Sequence, residues 1–388
     1  MTRPKTRSMT RRKHNVRAAL AGIALVAVLA GLASPGCSST TRGDLDALSV
    51  GASSMRFCPE PTRLDLTLPE PRPVASDERN SGASAESSVL ISPQPFNEVL
   101  VSWNIDAPKG TSARIDLRVG RPGFWSPWLY IGRVGDTPIL GPRPQSFSGG
   151  KVDVDYFTST QTFDRLQLRV TTFEPVSGPR IRVERLVVQP VDTRAPEPRD
   201  GGPSPALATT LAPAPVSRIG VPFRSQKTPD PALAGRLCSP TSLAMVLAHR
   251  GLDHTVDQVA RAAFDPDFNL YGNWPRNIQA ASDFGAPGLL RRFSSWHDID
   301  ATLQRGQPII ASIQVDPGQL PAAPYAATDG HLIVIEGVDE RGDLLVLDPA
   351  VATPDEGRRT YPRRDMTQVW LINGRGTAYI IEPATPRP

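Results

Sequence analysis

The sequence predicts a multidomain chain: an all-β sandwich over residues 94–190, followed by an α+β domain over residues 218–388. Three observations carry this. From Phe96 the apolar residues alternate with polar ones in short runs, and Gly and Pro punctuate them, the pattern of half-buried antiparallel strands. Residues 191–217 are dense in Pro, Ala and Gly with no apolar period to bury, the signature of a linker. Beyond Ile219 helical signals come first and strand signals after them, the order of an α+β domain.

The sandwich strands are read at Glu98 to Trp103, Ala113 to Val119, Trp128 to Gly132, Val152 to Phe157, Arg165 to Thr171 and Arg182 to Val188. Trp125, Trp128 and Tyr130 sit at strand spacing. Such aromatics are more often core; the other reading is a stacking platform for peptide, carbohydrate or cell wall.

In the second domain, Pro240 suits a first helical turn, Leu243, Val246 and Leu247 form an apolar stripe, and Gly251 ends the helix. Thr255 with Gln258 is a capping box ahead of Val256 to Phe264. Pro275 and Gly285 bound a third helix, and Ser295 and Gly306 bracket Trp296 to Arg305. Strands follow at Pro308 to Val315, His331 to Val338, Leu344 to Asp348 and Thr377 to Ile381.

Ahead of both domains, residues 1–37 read as an export signal: basic Arg3 to Arg17, apolar Ala18 to Ala33, then Gly-Cys-Ser-Ser with Cys37. That end resembles a bacterial lipoprotein signal whose cysteine is lipidated, though Ser34 stands where leucine is usual. The apolar run is barely long enough to span a bilayer as an uncleaved anchor. The expected location is therefore outside the cytoplasm: the cell envelope through a lipid or signal anchor, otherwise periplasmic or secreted. Residues 38–93, rich in Ser, Pro, Arg and Glu, read as a flexible stalk.

Residues 1–36 hold seven Lys/Arg and no Asp/Glu, so the formal charge of +4 becomes −3 once those seven are set aside. No basic run remains to grip a nucleic acid. The only cysteines are Cys37, Cys58 and Cys238, too few for a disulfide framework and without zinc spacing. A Cys37–Cys58 bridge stays open; Cys238 has no evident partner.

Alone, Cys238 is more often a small buried hydrophobe than a nucleophile. At a helix start, however, unpaired N–H groups and the dipole favour the thiolate. His331 opens an apolar strand; Asp339 to Asp343 is a turn signal, and Asp348 closes the next strand. Folding back at that turn brings His331 and Asp348 within a residue or two of facing each other. The carboxylate can then fix the imidazole tautomer and leave its other nitrogen for a thiol. His14, His249, His254 and His297 lack such a setting. Gln226, in Val221-Pro-Phe-Arg-Ser-Gln, reads either as a polar loop residue or as an amide donor to an oxyanion.

In order along the chain stand Val-Pro-Phe-x-x-Gln, Cys-x-Pro-Thr-Ser-Leu-Ala-Met-Val-Leu, Gly-Gln-Pro-Ile-Ile-Ala, Gly-His-Leu-Ile-Val-Ile-Glu-Gly-Val and Val-Leu-Asp-Pro. They resemble the papain-like cysteine peptidase family typified by enzymes that process double-glycine leaders of bacteriocins, over about residues 219–385. The resemblance implies a nucleophile at Cys238, a base and acid at His331, an orienter at Asp348 and an oxyanion donor at Gln226. It implies a peptide or protein substrate and neither cofactor nor metal. Ser239 departs from the glycine that commonly follows the nucleophile. Neither further apolar spans nor a phosphate loop accompany the domain, so leader removal at a transporter is not the expected role. The expectation is an exported cysteine hydrolase acting on a peptide or amide bond. A non-catalytic binding or adhesion protein, and an acyltransferase of the same fold, stay open beside it.

Overall fold

A computed structural model describes residues 59–74, 77–194 and 215–384. The export signal, its Cys37, and Cys58 lie outside the described residues. The described residues fall within one compact unit, Leu45–Pro388.

The N-terminal region carries β1 (Thr62–Leu64), β2 (Arg72–Val74), β3 (Asp77–Gly82), β4 (Ser84–Glu86), β5 (Leu90–Asp106) and β6 (Ser112–Arg121). It continues with β7 (Phe124–Trp125), β8 (Leu129–Gly135), β9 (Ser146–Phe147), β10 (Gly150–Asp153), β11 (Tyr156–Pro175) and β12 (Arg182–Val191). All are linked by antiparallel pairing, with β5 and β11 as the spine. The second half of β5 pairs β12 and its first half pairs β11. From Arg165 to Phe173, β11 pairs β6 as well. Register shifts between Thr158 and Arg165 mark irregularities where β11 passes from one set of partners to the other. The expected sandwich is thus built from one continuous antiparallel sheet, whose strands enclose a single core containing Trp103, Ile115, Leu117, Leu129, Leu168 and Leu186.

Two sequence expectations need correction here. Residues 38–93 read as a stalk, yet β1 pairs β12, β3 and β4 pair β11, and β5 begins at Leu90. Strands of three residues show no period of their own; they form by adding to an existing sheet edge. Residues 38–58 of that stalk lie outside the described residues. Likewise Val152 to Phe157 reads as one strand but is two, β10 and β11, joined by a turn at Val154 and Asp155. Val154 has φ of 64°, a left-handed conformation that alternation alone does not reveal.

The C-terminal domain holds α1 (Cys238–His249), α2 (Val256–Ala263), α3 (Trp274–Asp283), β13 (Gly288–Arg292), α4 (Trp296–Gln304), β14 (Ile309–Val315), β15 (Thr328–Val338), β16 (Leu344–Leu347), α5 (Pro354–Gly357), β17 (Arg358–Tyr361), α6 (Arg363–Met366) and β18 (Thr377–Ile381). A π-helical turn covers Thr367–Asn373. The sheet order is β13-β18-β14-β15-β16-β17, antiparallel throughout. Local chemistry fixes the helix ends: Thr255 and Gln258 form a capping box on α2, Asn273 caps α3 by accepting from the Arg276 N–H, and Gly251 and Gly285 take positive φ after α1 and α3.

The central strands are buried on both faces. Leu332 and Val334 of β15 pack with α1–α3, while Ile333 and Ile335 pack in the cluster that holds α4 and Trp370. Unlike the stripe expected of it, α1 is buried from Ser239 through Leu247, so it runs through the domain centre. Ser242 ties it to β15 by donating to the Leu332 carbonyl (2.9 Å).

The two regions meet along β13. One edge of β13 pairs β18; the outward groups of the other are taken by side chains of β5 and β12. Asn104 accepts from the Gly288 N–H (3.2 Å) and donates to its carbonyl (3.1 Å). Ser102 accepts from the Leu290 N–H (3.1 Å). Gln189 accepts from the Arg292 N–H (2.6 Å) and donates to its carbonyl (3.1 Å). Gln279 of α3 reciprocates with the backbone of Ile105 at 3.0 and 2.8 Å. Buried Glu98 accepts from both Arg292 and Arg375. Leu100 and Val191 add their side chains to the apolar cluster of α1–α3.

Candidate active site

Cys238 is the first residue of α1, and no side chain caps the helix there. The first-turn N–H groups therefore lack a competing side-chain cap. Cys238 is a partly exposed residue, whereas the next nine are buried, so a rigid rod carries it at its tip. Ser239, where glycine was the expected residue, is buried and its hydroxyl hydrogen-bonds Tyr379 Oη (2.9 Å). Its side chain is thereby committed to the core.

His331 lies in β15, and the antiparallel register Val334↔Leu347 puts Asp348 one residue past the last ladder pair of β16. The imidazole Nε2 meets Asp348 Oδ1 at 2.9 Å, and the imidazole acts on the Cys238 thiol, lowering it. With Nε2 taken, Nδ1 is the nitrogen left for the sulfur. His331 is 5% exposed and Asp348 fully buried, so this polar chain is shielded from water except at its cysteine end.

The electrostatics follow from that burial. Burial opposes ionisation of the Cys238 thiol, but the hydrogen bond and charge of His331 and the N–H groups of Leu332 and Ser239 outweigh it and hold the thiol below its ordinary range. Burial likewise disfavours imidazolium at His331, yet its bonds to Asp348 and Cys238 push it up to about 10. Asp348 is held below the usual carboxylate range: against its burial stand His331, the Tyr361 hydroxyl and the Ala350 N–H.

Gln226 reaches the same loop by its backbone, its N–H donating to the Pro349 carbonyl (2.9 Å). Three residues earlier the Phe223 ring lies on Gly357, where an added Cβ would come within 2.0 Å of the ring. Only glycine lets the ring approach so closely, and this contact anchors the segment carrying Gln226. Its side-chain Oε1 is buried and has no hydrogen-bond partner.

Sequence reasoning missed Tyr325 and Tyr361. Both donate to Asp348 Oδ2, at 2.9 and 2.7 Å, and burial together with the carboxylate charge raises both phenols. Neither stands in a motif; the signal was limited to their hydroxyls, which demand a partner when buried.

The aromatic trio of the N-terminal region separates. Tyr130 is buried and donates to Asp267 Oδ2 (2.7 Å) across the seam. Trp128 is flanked by the guanidiniums of Arg118 (4.5 Å) and Arg169 (4.4 Å), and Arg118 also lies over Trp125 (4.7 Å). Among the described residues no group of three His, Cys, Asp or Glu could hold a metal ion, and no helix is long and apolar enough to cross a membrane.

Comparison with known proteins gives two matches. Residues 218–378 match the Peptidase_C39 like family, and residues 55–189 match the Peptidase C39 N-terminal domain. No curated protein matches the chain. The first match spans Gln226, Cys238, His331 and Asp348; the second starts ahead of β1 and ends within β12. Residues 218–378 therefore form a Peptidase_C39 like domain, of a family of cysteine peptidases that act on peptides or proteins, with the N-terminal domain of such peptidases ahead of it.

Proposed function

We propose that this protein is an exported, envelope-attached cysteine hydrolase that cleaves a peptide or amide bond through an acyl-enzyme on Cys238. The observation that carries the reading is His331, bonded to buried Asp348, lowering the thiol of Cys238 at the tip of a buried helix. A helix led by the cysteine, with histidine and aspartate on a following antiparallel sheet, is also the arrangement expected of a papain-like domain.

In this mechanism the Cys238 thiolate attacks the carbonyl carbon, and the resulting oxyanion takes hydrogen bonds from the N–H groups opening α1 and from the Gln226 amide. The His331 imidazolium gives its proton to the leaving nitrogen as the C–N bond breaks. Neutral His331 then takes a proton from water, whose oxygen attacks the thioester; the acid departs and the thiolate–imidazolium pair is restored. Asp348 keeps the imidazole in place through both halves. Because Cys238 is lowered and His331 raised, the ion pair spans neutral pH, and activity is lost as pH rises through about 10 and His331 loses its proton.

Export rests on the basic and apolar course of residues 1–37, and attachment on Cys37 or the uncleaved apolar run. The half-exposed Trp125 and Trp128 with their arginines are the remaining candidates for contact with carbohydrate or cell wall.

The test compares new peptide termini produced by the full chain with those from Cys238→Ala. The wild type is expected to generate a distinct set, and the variant to lose it by at least about a thousandfold in rate. Identical product sets would end the hydrolase reading.

A further inference from the structure

Asp348 is saturated. Oδ1 takes His331 Nε2 and the Ala350 N–H, each at 2.9 Å, and Oδ2 takes the hydroxyls of Tyr325 and Tyr361. The two phenols do the same bonding from different places. Tyr361 is fully buried on β17, the edge strand beside β16. Tyr325 is partly exposed on the connection between β14 and β15. Its ring meets the His331 ring edge-on, centroids 5.0 Å apart at 71°. The same connection forms an open groove of about 400 Å³, lined by Tyr325 with Leu320, Pro321, Ala323 and Pro324 among others. No charged side chain lines it, so it suits an uncharged, apolar stretch of peptide.

We infer that Tyr325 is a positioning residue that links an apolar substrate segment in this groove to the His331–Asp348 pair. This rests on the cysteine hydrolase reading and deepens it. The partly exposed phenol lines the groove, packs against the imidazole, and its hydroxyl fixes the carboxylate that orients that imidazole. A segment seated in the groove therefore bears on the general base without touching it. Tyr361, fully buried on the edge strand, holds the carboxylate whether or not substrate is present. Apolar residues beside the scissile bond should accordingly raise kcat as well as lower KM, since part of their binding is expressed at the reacting group.

The test uses the full chain. Iodoacetamide alkylation of Cys238 is followed against pH by mass mapping, because Cys37 and Cys58 are also present, and kcat and KM are measured on a peptide that the wild type cleaves. Tyr325→Phe keeps the ring and loses the hydroxyl. It should lower kcat about tenfold, as expected for loss of a hydrogen bond to a charged group, with KM within about twofold and the melting temperature unchanged. The Cys238 thiolate midpoint should move by roughly half a pH unit or more, because the carboxylate that stabilises imidazolium loses a donor and an anchor. Tyr325→Ala should add a rise in KM for peptides with apolar residues near the cut.

If Cys238 is activated in the wild type and Tyr325→Phe leaves both profile and kcat unchanged, the inference fails while the hydrolase reading stands. A fall in kcat with an unmoved alkylation profile also overturns it, since that is what a purely structural role gives. If wild-type Cys238 alkylates like a free thiol, both fall together.

Discussion

Two glutamines in this molecule face opposite fates. At the seam between the domains, Gln189 uses both ends of its amide on the backbone of Arg292 and donates to the Pro59 carbonyl as well. Near the reactive end of the sheet, Gln226 is anchored by its backbone to Pro349 and leaves Oε1 without a partner. The same contrast runs through their surroundings. At the seam Asn104, Ser102 and Gln279 close reciprocal bonds with main chain. At the site, His331 is bonded to Asp348 on one side and acts on the partly exposed residue Cys238 on the other. Buried polar groups that are fully bonded specify a docking geometry, whereas Gln226 keeps an acceptor at Oε1 for a substrate N–H, its Nε2 being the end that can donate to an oxyanion.

The sharpest way to break this contrast is Gln226→Ala. If its amide serves the oxyanion, kcat should fall on the order of a hundredfold with little change in melting temperature; a variant that unfolds early but turns over normally would place Gln226 with the structural amides instead. Gln189→Ala should do the reverse. It orphans the N–H and carbonyl of Arg292 in a buried seam, costing about 2–3 kcal/mol of stability. Denaturant titration measures this, and turnover per folded molecule should hold.

Asp155 sharpens the contrast by being the seam's exception. It accepts from the Trp274 N–H that opens α3 (2.9 Å). Burial raises it to about 7, the Trp274 bond and Arg292 opposing and Asp153 and Asp265 adding to the rise. A carboxyl raised on folding stabilises the protein below its ordinary value, and that contribution is lost as pH climbs through about 7. Asp155→Asn should therefore gain on the wild type between about pH 4 and 7 and hold a constant lead above that. The lead should be on the order of 1–2 kcal/mol, since relaxation around a buried carboxylate keeps it under the ideal value. Melting curves across this range would show no crossing trend if Asp155 is not strained.

What could be read from residue order was local. Pro240 and Gly251 mark the ends of the helix that begins at Cys238, and the turn Asp339–Asp343 foretells the hairpin that brings His331 to Asp348. The chemical roles of these residues rest on the experiments above. The two tyrosines on Asp348 were illegible because they arrive from a loop and an edge strand, and only three-dimensional closure joins them. The seam was hidden for a related reason: Ser102, Asn104 and Gln189 occupy positions where alternation predicts polar residues facing water, and the neighbouring domain takes water's place. The 20-residue β11 escaped because its irregularities interrupt the period that would have announced it.

The pairing along β13 bears on how this molecule can be divided. Cut loose from its neighbour, the C-terminal domain would present outward groups at Gly288, Leu290 and Arg292 as a bare strand edge, open to pairing with other chains. A chain nicked between Arg194 and Pro215 would instead keep those groups bonded across the break. The smallest unit that keeps this edge covered is then two pieces held side by side, with side chains of the N-terminal domain closing the sheet beside them.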